Sequence, residues 1–490
     1  MKPPTLRILA LLLPILPLTL AADLKDRITT AVESAPAAVR GTFGIHVVDL
    51  STATPVYTHK ENQLLLPASN MKLFTAALAL TRLGPDYRFE TRLLREPSGA
   101  IVLLGSGDPS LSGRIYPLLA DVRADASDDA PTRSPLEAID DLADQAVAAG
   151  LRRVDGDVIG DDGRYPWSPY PESWTADDVE HDFGGAVSAL TLNDSSITLI
   201  LRPGARPNDL ARVEVSPPVE YFTIDNRIST STSPTKIRIQ RVPGTRQLLL
   251  TGVIRAGNTA TRESIAVDDP ALFAAHALYD ALLRRGVVVR GRPVARHTSA
   301  AGSASLPEGQ LLARRTSPPL SEILQTMMKA SVNLHAELIL REVGYVRQAE
   351  GTLAGGLKEM QTLLAGIKIS AADWRTEDAS GLARNDEITP RAITQLLTSM
   401  WANPEWRETW LSFLPVGGQD GTLSNRLCCS SETIRIRAKT GTLARAVTLS
   451  GYAESPRNGR LAFSILVNNF SAPPAEVQAW VDRIATALIE

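Results

Sequence analysis

Cysteine is almost absent from this chain of 490 residues, which contains only Cys428 and Cys429. Because the two residues are adjacent, an ordinary disulfide between them would be geometrically strained. The sequence therefore excludes a framework of disulfides. The position of the pair near a predicted strand favours two small hydrophobic residues over a redox site.

Histidine is also scarce, and the six histidines are scattered along the chain. None of them forms a His-Glu-x-x-His pair, so the sequence predicts no metal site, and no cofactor is expected. His335 is interpreted as a structural histidine rather than a catalytic one. The chain also lacks a Gly-x-Ser-x-Gly nucleophile elbow, which argues against an ordinary α/β-hydrolase.

The chain has neither a basic excess nor a long hydrophobic run beyond its beginning. Its formal net charge is −3, so nucleic acid is not an expected partner. Lys2 and Arg7 lead into an apolar run at residues 8–20, and Thr19-Leu20-Ala21 offers a cleavage site. Residues 1–22 are therefore predicted to be a signal peptide of an exported protein. The alternative is a membrane anchor, but the run is shorter than the roughly 20 residues needed to span, so no anchor is expected after cleavage.

The length and the order of patterns predict a discontinuous domain with an insertion. A chain of 490 residues is long enough for two or three domains. Strand patterns near both ends, with helical patterns between them, predict an α/β (α+β) fold. Residues 23–87 and 265–490 are expected to form one domain, and residues 88–264, rich in short strands and prolines, one or more mainly β inserted domains.

Individual elements follow from the spacing of apolar residues. The predicted strands are residues 43–50, 55–59, 154–159, 196–201, 247–254, 434–438, 447–453 and 461–467. The predicted helices are residues 69–83, 136–149, 271–285, a pair within 320–343, 355–364, 391–401 and 474–489. The last helix is expected to cover a sheet, and the acidic stretch at residues 121–129 is expected to be a solvated loop.

The first chemically suggestive pattern is Ser69 followed by Lys72 at the start of a predicted helix. Side chains three residues apart share one helix face, so a proton can pass between them. A serine hydroxyl becomes a good nucleophile when a base takes its proton, and a lysine can be that base if burial or a neighbouring cation lowers its pKa. Taken alone, the pair could equally be a helix N-cap with a surface lysine.

Two further patterns follow in order. Ser331 and Asn333 lie within the predicted helical pair and can point together only if a turn separates the two helices; a helix cap is the alternative. Lys439-Thr440-Gly441-Thr442 follows a predicted strand and would line a sheet edge, where Gly441 would let a ligand approach the backbone. A hairpin turn with an exposed lysine is the alternative. The ordered set of three patterns is much more specific than any one of them.

This ordered set resembles the signature of penicillin-binding proteins and serine β-lactamases. More narrowly, the chain resembles the D-alanyl-D-alanine carboxypeptidase/endopeptidase family of the penicillin-binding protein 4 type (low-molecular-mass class C), which has a long insertion between the first two motifs. About 260 residues separate Ser69 from Ser331 here. Further similar segments are Gly107-Asp108-Pro109-Ser110-Leu111, Asp378-Ala379-Ser380-Gly381-Leu382 and residues 414–423; the second departs from the Asp-Gly-Ser-Gly-Leu common in the family.

The resemblance implies a fold, a reaction and roles for the site residues. The fold would be an antiparallel sheet flanked by helices, and the substrate a stem peptide of periplasmic peptidoglycan. Ser69 would attack the D-alanyl bond with Lys72 as base, while Ser331 would relay the proton and Asn333 would orient Lys72. Lys439, with the Thr440 and Thr442 hydroxyls, would hold the substrate carboxylate and lower the pKa of Lys72. β-Lactams would acylate Ser69.

Two other functions remain open from the sequence. A β-lactamase or esterase on the same fold is one, although the long insertion argues against it. A non-catalytic scaffold that binds the cell wall is the other, although the intact motif residues argue against it. The balance between carboxypeptidase and endopeptidase activity depends on the groove and is not predicted.

Overall fold

The computed structural model describes residues 16–118, 133–299, 308–427 and 435–489, with side chains from residue 24 onward. Ten helices are found in these residues. They are α1 (Leu16–Glu33), α2 (Met71–Leu83), α3 (Glu137–Ala148), α4 (Pro270–Arg284), α5 (Leu320–Lys329), α6 (Asn333–Gln348), α7 (Leu353–Gly366), α8 (Pro390–Ala402), α9 (Arg407–Phe413) and α10 (Pro474–Ala487).

The strands of the described residues belong to several separate sheets. They are β1 (Thr42–Asp49), β2 (Thr54–His59), β3 (Glu90–Arg95), β4 (Ile101–Leu104), β5 (Arg153–Val154), β6 (Val158–Pro166), β7 (Ser196–Arg202), β8 (Arg212–Ser216), β9 (Thr223–Ser231), β10 (Lys236–Arg241), β11 (Gln247–Arg255), β12 (Thr261–Ala266), β13 (Val288–Val289), β14 (Pro293–Thr298), β15 (Gln310–Thr316), β16 (Trp374–Arg375), β17 (Glu387–Ile388), β18 (Ile436–Leu443), β19 (Ala446–Ser455) and β20 (Gly459–Asn468).

The main sheet joins the two ends of the chain. Its order is β18-β19-β20-β1-β2, and every neighbouring pair is antiparallel. The N-terminal β1–β2 hairpin thus continues a C-terminal meander, with Thr42 opposite Asn468. This topology confirms the predicted mixed α and β fold with an antiparallel sheet, and it leaves β18 at one edge.

Helices cover both faces of the main sheet. On one face, side chains of α1 and α10, including Leu24, Ile28 and Val481, pack against buried residues of β1, β19 and β20. On the other face, α2 and α8 lie with α5, α6, α7 and α9 in a second hydrophobic cluster. The prediction that α10 covers a sheet is therefore confirmed. Helix α1 was not predicted; it begins at Leu16, inside the segment interpreted as a signal peptide.

The inserted part, which lies in the chain between the N-terminal and C-terminal strands of the main sheet, has its own sheets and hydrophobic core. A five-stranded mixed sheet has the order β14-β6-β4-β3-β15, and α3 and α4 pack against it. Two three-stranded sheets, β10-β11-β9 and β12-β7-β8, and the two-stranded sheet β13-β5 also lie in this part. One hydrophobic cluster links α3 and α4 with all three sheets. Strands β14 and β15, which come after residue 265, thus belong to the sheet of the inserted part.

Two predicted strands differ from the structure. The predicted strand 154–159 is two strands, because Gly156 turns the chain and lies against the backbone of Gly99 and Ala100. The strand predicted to end at residue 438 continues to Leu443, because it stays paired with β19 through Leu443 opposite Ala446. The motif that begins at Lys439 is therefore inside an edge strand and not in a turn after it.

Several sequence predictions lie outside the described residues: the first part of the signal peptide, the acidic loop at residues 121–129, and Cys428 with Cys429. In the part of the chain that is described, no helix combines the length and apolar character needed to cross a membrane.

Candidate active site

Ser69 and Lys72 meet where the chain enters α2. Residues Ala68–Asn70 form one 3-10 turn, and α2 begins directly after it at Met71, two residues later than predicted. The lysine lies one turn beyond the serine, and its Nζ is 3.0 Å from Ser69 Oγ. Ser69 is partly accessible, whereas Lys72 is fully buried. A reacting group could therefore reach the hydroxyl while the amine beside it stays dry.

The Lys72 amine has two further partners from distant parts of the chain. Its Nζ lies 2.6 Å from Asn333 Oδ1 and 2.8 Å from the carbonyl oxygen of Ser380. Burial is the largest influence on this group, and it lowers the pKa of Lys72 from 10.5 to about 7. Of the two causes expected from the sequence, burial and a neighbouring cation, burial is the larger; the family resemblance had implied the cation Lys439.

Three buried carboxyl groups oppose that lowering. Asp378, Glu337 and Asp386 all raise the pKa of Lys72, because negative charge favours the ammonium form. Burial, together with the charge of Asp378, raises the pKa of Glu337 above its ordinary value. The same two causes raise the pKa of Asp386 well above its ordinary value. The environment of Lys72 is thus a balance between dehydration and nearby carboxyl groups, with dehydration the stronger influence.

Asp378 builds the loop that supplies the Ser380 carbonyl. Its carboxylate accepts hydrogen bonds from the backbone nitrogens of Ser380, Gly381, Leu382 and Ala383, at 2.7–3.0 Å. Gly381 has φ +82°, and a Cβ there would lie 1.9 Å from the carbonyl oxygen of Ala68. The loop therefore packs directly beneath the turn that carries Ser69.

Ser331 and Asn333 are brought together by the turn between α5 and α6. Ser331 has φ +57°, which breaks the helical path after Lys329, and Asn333 is the first residue of α6. This is the turn that the sequence required for the two side chains to point together. Asn333 contacts Lys72 through Oδ1, and its Nδ2 donates to the Phe183 carbonyl at 2.9 Å.

Lys439 reaches the same turn from the edge strand β18. Its Nζ donates to Ser331 Oγ at 2.8 Å and to the carbonyl of Thr440 at 2.9 Å. Lys439 is fully buried, and burial first, then the charge of Lys72, lowers its pKa well below the usual range. Both lysines are thus buried, and their amines contact the side chains of Ser69, Asn333 and Ser331.

Strand β18 packs closely against the turn at Ala68–Asn70, which carries Ser69. A Cβ at Gly441 would lie 2.3 Å from Thr448 Oγ1 and 2.9 Å from Ser69 N. Asn70 links the same parts, because its Nδ2 donates to Thr448 Oγ1 at 2.8 Å and to the Lys439 carbonyl at 3.1 Å. Gly441 is therefore needed for close approach of β18 to the serine.

The inserted part reaches the site at two points. One is the contact of Phe183 with Asn333 described above. The other is Trp174, whose Nε1 donates to Asp378 Oδ2 at 3.0 Å. Arg384, just after the Asp378 loop, also pairs with Asp178 of the inserted part at 2.8 Å. The insertion thus contacts both α6 and the Asp378 loop beside the site.

The residues predicted from sequence form two hydrogen-bonded groups: Lys72 bonds to Ser69 and Asn333, and Lys439 bonds to Ser331. The two groups meet at the turn between α5 and α6, which carries both Ser331 and Asn333. Thr440 and Gly441 follow Lys439 directly in β18. Thr442 is exposed, and its hydroxyl accepts a hydrogen bond from Gln478 Nε2 of α10 at 2.9 Å. His335 is fully buried beside Asp194, at 3.2 Å, behind the cluster.

Sequence reasoning assigned no role to several residues that shape the cluster: Asn70, Trp174, Phe183, Glu337, Asp378, Ser380 and Thr422. Asp378, Ser380 and Thr422 lie in segments noted for their resemblance to the family, which was the available signal. Glu337, one turn after Asn333, had no such signal. Within the described ranges, no group of three or more His, Cys, Asp or Glu side chains is arranged to hold a metal ion.

A serine beside a dehydrated lysine, on an antiparallel sheet flanked by helices, is the arrangement of a serine hydrolase. Comparisons with known proteins agree. The family model of the D-Ala-D-Ala carboxypeptidase 3 (S13) family matches residues 24–488. The chain is 32% identical to the D-alanyl-D-alanine carboxypeptidase of Actinomadura sp. (strain R39), over 98% of this chain and 89% of that protein.

Solved structures show the same fold. Penicillin-binding protein 4 (DacB) of Haemophilus influenzae superposes with a TM-score of 0.79 at 20% identity, covering 94% of this chain and 98% of that one. Its complex with a β-lactam superposes over the same shares, with a TM-score of 0.73 and 20% identity. The chain therefore belongs to the D-Ala-D-Ala carboxypeptidase 3 (S13) family and is a serine hydrolase.

Proposed function

We propose that this protein hydrolyses D-alanyl-D-alanine peptide bonds of peptidoglycan stem peptides through an acyl-enzyme on Ser69. The observation that carries the proposal is the 3.0 Å contact between Ser69 Oγ and the buried amine of Lys72, whose pKa is about 7. At neutral pH, a substantial fraction of that amine is uncharged and can accept the proton of the attacking hydroxyl.

The hydrogen bonds of Lys72 support its role as base. Asn333 Oδ1 and the Ser380 carbonyl are acceptors only, so in the neutral form they take the two N–H groups of the amine. The nitrogen lone pair is then left for the Ser69 hydroxyl. Asn333 is in this way an orienting residue for the base.

Proton delivery to the departing amine is assigned to Ser331. Its hydroxyl accepts from Lys439 Nζ at 2.8 Å, so its own proton is free to pass to a leaving group. Ser331 then recovers a proton from Lys72, which received one from Ser69, so that the net transfer is from the Ser69 hydroxyl to the departing amine. Lys439, with the Thr440 and Thr442 hydroxyls, is proposed to bind the substrate carboxylate. The backbone N–H groups of Ser69 and Thr442 are proposed to hold the oxyanion, a contribution typically of about 100- to 1,000-fold in rate. Water then releases the acyl group.

The unpaired edge of β18 supports peptide binding. Residues 415–417 pair with the first part of this strand, where Gly417 N donates to the Ile436 carbonyl and Ala438 N to the Pro415 carbonyl. From Lys439 to Thr442, no strand of the described residues pairs with that edge. An extended stem peptide can add there as a further strand, beside Ser69.

We further propose that β-lactams acylate Ser69, as the β-lactam complex of the H. influenzae protein suggests.

Export to the periplasm through the signal peptide at residues 1–22 also remains a proposal. It is supported by the family model, whose match begins at residue 24.

For the domains, the strand pairing favours an inserted unit that ends after β15, near residue 317, rather than at residue 264.

The test is the intact mass of the protein after incubation with benzylpenicillin, beside Ser69→Ala treated identically. We expect a mass increase of one penicillin in the wild type and none in the variant. Release of D-alanine from a peptide ending in D-Ala-D-Ala, and cleavage of a cross-linked dimer, then measure the carboxypeptidase and endopeptidase activities separately.

Three results would contradict the proposal in different ways. Rapid consumption of penicillin without a lasting adduct would favour a β-lactamase. Intact penicillin and intact peptides would favour a non-catalytic scaffold. An adduct on Ser69→Ala would mean that another residue is the nucleophile.

A further inference from the structure

Next to the lysine–serine cluster, a hydroxyl outside the three motifs lies at the proposed carboxylate site. Thr440 Oγ1 donates to Thr422 Oγ1 at 2.7 Å. Thr422 belongs to the segment that follows α9, eighteen residues before Thr440. Because Thr440 supplies the proton of that hydrogen bond, the Thr422 proton has no acceptor among the described residues and is available to a ligand.

Thr422 is held in place by the same short segment that positions Ser331. Its backbone nitrogen donates to the carbonyl of Lys329 at 3.0 Å, and Lys329 lies two residues before Ser331. A Cβ at Gly421 would lie 2.7 Å from that carbonyl, so the two segments are in close contact. Thr422 and Ser331 therefore cannot move independently.

A buried ion pair stabilises the contact between the Thr422 segment and the end of α5. The Lys329 amine pairs with the Asp420 carboxylate, and their side chains are only 9% and 8% exposed. The other oxygen of Asp420 accepts from Val416 N at 2.9 Å, which ties the turn to the segment that pairs with β18. A buried, paired charge of this kind is costly to build and restricts the local backbone to one arrangement.

The result is a continuous row of polar groups beside the nucleophile: Ser331, Lys439, Thr440 and Thr422. One end of the row holds a lysine amine, and the other holds two hydroxyls 2.7 Å apart. A carboxylate has two oxygens, each able to accept more than one hydrogen bond, so a lysine amine together with the free hydroxyl proton of Thr422 suits it.

We propose that Thr422 is a further specificity-determining residue. Its hydroxyl is oriented by the proton that it accepts from Thr440 and donates its own proton to the carboxylate on the carbon next to the scissile nitrogen, so that Thr440 acts on the carboxylate through Thr422. The inference rests on the proposed function, because it concerns the leaving-group side of the same reaction. It adds a residue from outside the Lys439-Thr440-Gly441 motif to the recognition of that carboxylate.

The test compares two thioester substrates with the same D-alanyl acyl group. In one, the leaving thiol carries a free carboxylate; in the other, that carboxylate is a methyl ester. We expect Thr422→Val to lower kcat/KM for the first by roughly 10- to 100-fold, the scale of a hydrogen bond to a charged group, and to change the second less than about twofold. Thr422→Ser keeps the hydroxyl and should keep the wild-type ratio.

Thr362→Val is the matched control, because Thr362 is an exposed threonine on α7 whose hydroxyl bonds only to the Lys358 carbonyl. We expect it to change neither rate. Equal losses on both substrates, or no loss with Thr422→Val, would overturn the assignment. If Thr422→Val does not fold, as judged by circular dichroism, Thr422→Ala is measured against the same criteria.

Failure of the proposed function has a different signature. In that case the wild type itself neither cleaves the thioesters nor gains a penicillin adduct, and the assignment of Thr422 falls with it. A wild type that reacts, together with an unselective Thr422→Val, overturns only the assignment of Thr422.

Discussion

At the scale of single residues, the chemistry depends on removing water from Lys72. A lysine on the surface keeps its pKa near 10.5 and would be almost fully protonated at neutral pH. Burial lowers the pKa of Lys72 to about 7, even though Asp378, Glu337 and Asp386 act in the opposite direction. Dehydration is therefore the effect that makes this lysine available as a base.

A pH profile should report that pKa. Because only the neutral amine can accept the Ser69 proton, we expect kcat/KM for acylation to rise with pH and reach half its plateau near pH 7. The measurement is the rate of penicillin acylation from pH 5 to pH 9. A half-point that stays above pH 9 would mean that the pKa of the base is not lowered to about 7.

Lys72→Arg is the companion variant. Arginine keeps its proton throughout this pH range, so the base is lost while the positive charge remains. We expect a loss of at least about 100-fold in acylation rate and no rise near pH 7. Retention of the rise would assign it to another group.

At the scale of elements, the edge strand and the serine turn form one packed unit. Gly441 lies where β18 passes the turn at Ala68–Asn70, and Thr448 of β19 binds both Asn70 and the carbonyl of Pro67. The nucleophile is therefore positioned by the sheet as well as by its own helix.

Gly441→Ala tests this contact. The new Cβ would fall 2.3 Å from Thr448 Oγ1 and 2.9 Å from Ser69 N, so the turn or the strand must move. We expect a cost of about 1–3 kcal/mol in the free energy of unfolding, and a fall of more than about 100-fold in acylation rate, because displacements near 1 Å are that harmful to catalysis.

Gly366→Ala on α7 is the control, because a Cβ there meets nothing within 4 Å. We expect full activity and unchanged or slightly higher stability. Thermal unfolding and penicillin acylation, measured on both variants, separate the two effects. Wild-type acylation by Gly441→Ala would mean that the close contact is not needed for catalysis.

At the scale of the whole molecule, a buried glutamate joins the insertion to the catalytic helices. Glu342 of α6 is fully buried and accepts from Arg164 of β6 through two nitrogens, at 2.9 and 2.6 Å. Tyr165 donates to the same carboxylate at 2.7 Å, and Tyr87 donates as well. These contacts hold the insertion against the helix that carries Asn333.

Arg164→Ala should be strongly destabilising, because it leaves Glu342 buried without its cation. We expect a loss of about 3–5 kcal/mol in the free energy of unfolding. The control is Arg227→Ala, since Arg227 pairs with Asp225 through a 65% exposed side chain, and water and salt screen such a pair so that its loss should change stability little. Urea denaturation of both variants measures the difference, and equal costs would contradict a joining role for Glu342.

Much of the helical framework was predictable, because helix ends and apolar stripes are local features. The helix from Met71 to Leu83 and the helix from Pro270 to Arg284 lie within two residues of their predicted bounds. The inserted β part was less predictable. Its strands pair across long stretches of chain, and single turns such as the one at Gly156 depend on a neighbour that the local pattern does not reveal.

By itself, the sequence determined the chemical groups and their local spacing. Ser69 and Lys72 are one turn apart because of their separation along the chain, and the order of the three motifs indicated the family. Only the tertiary structure decided which protonation state those groups can adopt. The pKa of Lys72 depends on α6 and on the Asp378 loop, which reach its amine through contacts between residues 261 and 308 positions apart. Exclusion of water is a property of that assembled surface, and no local pattern in the chain encodes it.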